Sequence, residues 1–103
     1  MIAMRKNLSE NRIMEITEDV VGCKWTLRVI GQLRASHRRP GDLRRSIPGI
    51  SAKVLNERLA KLIRYELVRK KIYPVTPPRV EYSFTALGRK FLSVLDAIRK
   101  LAR

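Results

Sequence analysis

At 103 residues and 11.9 kDa the chain has room for one compact domain and not for two, so any second function must share one hydrophobic core. Hydrophobic residues make up 45% and charged residues 31%, the balance of a foldable domain and not of a disordered basic tail. The formal net charge of +14 attracts polyanions at any physiological pH, and the nine carboxylates leave little for a two-metal hydrolytic site.

The charge is unevenly placed. Residues 1–23 carry three basic side chains against four acidic ones, whereas residues 24–103 carry twenty against five, a net of +15. The amino-terminal segment is therefore the poorer polyanion binder and the better candidate for partner contact. Cys23, the single cysteine, has no internal disulfide partner, and no apolar run reaches the ~18 residues of a membrane span. Met1 to Asn7 is too short and polar for a secretory signal, so the expectation is one domain over 1–103, cytoplasmic, with no membrane association.

Taken in chain order, Ile13, Ile16, Val20 and Val21 recur at helical spacing after Ser9, a suitable N-cap, and Gly22 marks the end of a first helix. Trp25, Val29, Ile30 and Leu33 form the apolar stripe of a second helix. Pro40 suits the first turn of a short third helix reaching about Ile47, and Pro48-Gly49 stops it. From Ser51 a longer helix is expected to about Glu66, with Leu55, Leu59 and Leu62 on one face and Ala52, Lys53, Asn56, Glu57 and Ala60 on the other.

Two helices joined by a turn of that length, the second opening with small, amide and basic side chains, make a helix-turn-helix pattern. Val68–Tyr73 and Val80–Phe84 read as strands, the second alternating Val80, Tyr82 and Phe84 against Glu81 and Ser83. Prolines cannot donate to a ladder, so Pro74, Pro77 and Pro78 belong to a stiff connecting tip that would present Arg79. Thr85 then caps a final helix whose Leu87, Phe91, Leu95 and Ile98 give a broad apolar face. The expected fold is mainly α with a small β-wing. It is a winged helix-turn-helix: a three-helix core, a two-stranded hairpin, and amino- and carboxy-terminal dimerisation helices, with Ile13, Ile16, Val20, Phe91, Leu95 and Ile98 at the interface.

Three stretches carry a specific resemblance: Gly22-Cys23-Lys24-Trp25-Thr26-Leu27, Gly41-Asp42-Leu43-Arg44-Arg45-Ser46-Ile47-Pro48-Gly49-Ile50-Ser51, and Pro77-Pro78-Arg79-Val80-Glu81-Tyr82-Ser83-Phe84-Thr85-Ala86-Leu87-Gly88. In order and spacing they resemble the motifs of the HxlR-type winged helix-turn-helix transcriptional regulators, over residues 12–103 or so. The resemblance implies a homodimer that binds double-stranded DNA at an inverted-repeat operator, with the helix from Ser51 as the recognition helix. It matches Lys53 and Asn56 to base-facing positions and Arg79 to the wing-tip arginine that reaches toward the minor groove. Cys23 stands where the family usually has glycine, Pro40 where it has an aromatic residue, and Glu66 where a glycine ends the recognition helix.

The candidate DNA-binding set is thus Ser51, Ala52, Lys53, Asn56 and Arg79, with Arg58, Arg44, Lys70 and Lys71 assigned to phosphates. Cys23 is read as a small half-buried hydrophobe and His37, among arginines and without companion ligands, as an exposed loop residue and not a metal ligand. No phosphate-cradling glycine loop and no nucleophile with a base is present, so neither an enzyme nor a cofactor is expected, and no effector pocket is apparent. The rival readings are a sequence-independent architectural binder that coats DNA through phosphates, and an interaction module for an acidic partner.

Overall fold

Three helices begin at a hydroxyl that accepts a first-turn backbone N–H: Ser9 from Arg12 at 3.0 Å, Ser51 from Val54 at 3.1 Å and Thr85 from Gly88 at 2.9 Å. These caps open α1 (Glu10–Val21), α4 (Ala52–Arg64) and α5 (Ala86–Arg99) of a computed structural model that describes residues 9–36 and 38–102. Between them lie α2 (Lys24–Arg34), α3 (Pro40–Ser46) and the antiparallel strands β1 (Val68–Tyr73) and β2 (Arg79–Phe84). The proline opening α3 costs nothing, because a first-turn N–H has no helical partner anyway. His37 and the segment Met1–Asn7 lie outside the described residues.

The turn between α3 and α4 buries Ile47 and Ile50 on either side of Pro48-Gly49, and Gly49 takes a φ of +86° that a side chain would strain. The recognition-helix candidate leaves the helical path earlier than expected, at Tyr65. Glu66 then adopts a φ of 61°, the left-handed turn usually given to glycine, at a cost of about 1–2 kcal/mol. Its carbonyl accepts from the Thr85 hydroxyl at 2.6 Å, which fixes the turn to the start of α5.

The core joins all five helices and the base of the wing. Val29, Ile30 and Leu33 of α2 meet Leu43 of α3, the Leu55, Leu59 and Leu62 stripe of α4, and Val68 and Tyr82 of the hairpin. Tyr82 also donates its N–H to the Arg38 carbonyl at 2.9 Å, so the segment before α3 lies along the free edge of β2. The face alternation expected of β2 is present: Tyr82 is buried, and Val80 and Phe84 pack against the core.

Two ties hold the outer helices. Asp19 of α1 accepts from the Tyr65 hydroxyl and lies 3.1 Å from Lys61 Nζ, and Arg34 of α2 grips Asp96 of α5 with two bonds of 2.7 and 2.6 Å. One expectation needs correcting here. Ile16, Val20 and Leu95, assigned to a dimer interface, are buried inside the protomer, because a domain this small uses the apolar stripes of its terminal helices to close its own core. Ile13 and Phe91 are half-buried, while Ile98 remains exposed together with Met14, Val21, Val94 and Leu101.

Candidate nucleic-acid interface

The exposed face of α4 is built by a heptad-like split. Leu55, Leu59 and Leu62 turn inward, leaving Ala52, Lys53, Asn56, Glu57, Ala60 and Arg64 in solvent. Lys53 and Asn56 are one turn apart near the amino terminus of the helix, where the backbone N–H groups give a positive end and Ser51 has already satisfied one of them. The face is therefore narrow, with small side chains flanking an ammonium and an amide, a shape and donor set suited to a groove lined by base edges and phosphates. Arg44 and Arg45 of α3 are exposed beside the turn, Arg45 held by Asp42.

The wing departs from expectation at its arginine. Arg79 is the first residue of β2, opposite Tyr73, and its guanidinium lies 4.5 Å from the centre of the Tyr73 ring with Nε 3.5 Å from a Glu81 carboxylate oxygen. It is folded against the hairpin and not projected from the tip, because a cross-strand aromatic and a carboxylate two residues on offer it a local seat. The tip itself, Pro74 to Pro78, is exposed.

Lys70 and Lys71 also separate. The register pairs Lys70 with Tyr82 and Lys71 with Glu81, so the two lysines leave opposite faces of the ribbon and cannot line one row of phosphates. Lys71 instead joins Arg69, Arg38 and Arg89 around an open cleft of about 400 Å³ on the flank of the wing. Period-two alternation would have paired Arg69 with Lys71; only the folded chain brings Arg38 and Arg89 beside them.

Arg58 is the third correction. It is half-buried, its Nε has no partner among the described residues, and its charge lowers the pKa of both Asp19 and Cys23. Its partial burial at the edge of the apolar stripe sets it apart from the exposed face of α4. Cys23 sits at the N-cap of α2, half-buried as expected. Burial pushes its thiol up, but the polar groups of Thr26 at the helix start, with the field of Arg58, outweigh this and hold it below the ordinary range. Among the described residues no cluster of three His, Cys, Asp or Glu side chains could hold a metal ion, and no helix is long and apolar enough to cross a membrane.

Residues 20–103 match the HxlR-like helix-turn-helix family. The chain belongs to that family. It is 42% identical over 83 residues to an HTH-type transcriptional regulator of Synechocystis, a match covering 81% of this chain and 62% of the relative, so it spans less than two thirds of that protein. The regulator YkvN of Bacillus subtilis is 38% identical over 84 residues, covering 82% of this chain and 71% of the relative. Among solved structures, the reduced transcriptional regulator YodB of Bacillus subtilis superposes with a TM-score of 0.78 at 29% identity, covering 93% of this chain and 92% of that one. A regulator described as of the MarR family from Porphyromonas gingivalis gives 0.71 at 42% identity, covering 91% and 92%.

In this HxlR-like chain the winged helix-turn-helix expectation therefore holds in element order and helix caps. The matched segment begins at Val20 and so includes the turn into α2, the helix-turn-helix and the wing, but leaves out most of α1.

Proposed function

We propose that the protein is a homodimeric transcriptional regulator that binds an inverted-repeat DNA operator, with the amino-terminal half of α4 in the major groove of each half-site. The carrying observation is the exposed face of α4, where Lys53 and Asn56 stand clear of every ion pair and hydrogen bond of the described residues and are flanked by Ala52 and Ala60. An amide reads adenine and an ammonium reads guanine acceptors, while the small neighbours let the helix approach.

Two further features support the reading. The flank of the wing carries Arg38, Arg69, Lys71 and Arg89 within reach of one another, a suitable seat for backbone phosphates beside the half-site. Apolar side chains stay exposed on both terminal helices, Met14 and Val21 on α1 and Val94 and Ile98 on α5, which favours burial against a second copy.

The test compares site preferences of Lys53→Ala and Asn56→Ala with those of the parent and of Arg44→Ala. Each α4 variant is expected to lose about 1–3 kcal/mol of discrimination at one base-pair position, whereas Arg44→Ala should weaken binding to all sequences nearly equally. Unchanged preferences in both α4 variants would leave the architectural reading in its place.

A further inference from the structure

An open groove of about 580 Å³ runs between α2, the turn joining α3 to α4, and the end of α5. Leu27, Ile47 and Pro48 give it an apolar floor, Arg28 and Arg99 stand at its rim, and no carboxylate lines it. That volume falls within the range of small-molecule sites, which combine apolar walls with a few charged anchors.

Gly31 is the second observation. It lies inside α2, where glycine costs about 1 kcal/mol relative to alanine, and it lines the groove. Neither backbone nor packing requires it: it has no positive φ, and a Cβ built there would meet nothing within 4 Å. This contrasts with Gly88, where a Cβ would strike Leu67, and with Gly49, whose φ is positive. What the missing side chain does at position 31 is leave the groove open.

We infer that this groove binds a small amphipathic carboxylate, its apolar body on Leu27, Ile47 and Pro48 and its carboxylate between Arg28 and Arg99. Two arginines lining a groove with an apolar floor complement one negative charge on a hydrophobic body, and a planar carboxylate is the group an arginine fork grips in two bonds. Pro48 and Ile47 belong to the turn that leads into α4, so an occupant would bear on the presentation of the recognition helix. That consequence rests on the proposed DNA-binding function; the site itself does not.

The chain carries its own reporter. The Arg28 guanidinium lies 5.3 Å from the centre of the ring of Trp25, the only tryptophan, and an edge carbon of the same ring would lie 3.7 Å from a Cβ built on Gly49 of the turn. Octanoate and its uncharged counterpart octanol are titrated into the full chain without DNA, read by calorimetry and by Trp25 fluorescence. Octanoate is expected to bind saturably with a fluorescence change, and octanol at least tenfold more weakly. Arg28→Gln should lose at least tenfold in octanoate affinity, and Gly31→Leu, which fills the groove with a good helix former, should abolish binding while keeping the helical circular dichroism signal. No saturable binding, or equal binding by Gly31→Leu, would overturn the inference. So would a Gly31→Leu variant that sediments as a lighter species than the parent, since the groove would then be filled by a second copy. Parallel DNA titrations separate the two claims: octanoate binding without any effect on DNA affinity keeps the site and removes its link to α4.

Discussion

Gly88 tolerates no side chain at all. A Cβ there would lie 2.0 Å from the Leu67 carbonyl oxygen, which already accepts the Thr85 N–H at 3.0 Å, so the first turn of α5 is pressed directly on the turn that follows α4. Gly88→Ala must push backbone from backbone, and the expected loss is about 3 kcal/mol, the upper part of the overpacking range. Urea denaturation measures it; a loss under about 0.5 kcal/mol would mean that α5 is not seated on Leu67. The same scale shows what a sequence hides. Gly88 could be read as part of a motif, but nothing local gives its distance to Leu67, a neighbour 21 positions earlier. The seat of Arg79 on Tyr73 and Glu81 was hidden in the same way, because it depends on which residues the hairpin register sets opposite.

The elements themselves were legible because their signals are local. Ser9, Ser51 and Thr85 mark helix starts by hydroxyl chemistry alone, and the period-two run of β2 gave its inward face. What the helices pack against was not legible. The stripes of α1 and α5 looked surplus to a small core and were assigned to a partner, yet Ile16, Val20 and Leu95 close the protomer. Arg58 reads from the sequence as one more phosphate-contacting cation, yet it is half-buried at the edge of the α4 stripe. The tie between α1 and α4 is also tertiary, and it carries a pH dependence. The Tyr65 hydroxyl, with Lys61 and Arg58, holds the Asp19 carboxyl below its ordinary range despite the opposing effect of burial. A depressed carboxylate contributes stability that is present above its unfolded value of ~4 and lost as pH falls through the folded one. Asp19→Asn should therefore cost on the order of 1 kcal/mol at neutral pH, screened because the pair is partly exposed, with the gap to the parent closing as the pH falls through the lowered folded value. A gap that persists in acid would assign the effect to packing and not to charge.

At the scale of the whole molecule, an acidic first helix sits beside a strongly basic remainder: in the proposed function α4 and the wing meet the polyanion, while α1 and α5 offer exposed apolar side chains. A dimer is expected at micromolar concentration. Ile98→Glu, a substitution of an exposed residue that leaves the core intact, should shift sedimentation toward one chain, and an unchanged mass would remove α5 from the interface. Counterion release adds a signature, with affinity falling about 10³- to 10⁵-fold between low and moderate salt if 6 to 10 phosphates are neutralised. Salt alone does not separate a reader of sequence from a coat of phosphates. Selection of bound duplexes from a random library does. A dimeric reader should enrich an inverted repeat whose half-sites are centred about one helical turn, roughly 10 base pairs, or a multiple of it apart. Recovery of unenriched sequence at the same salt would contradict it.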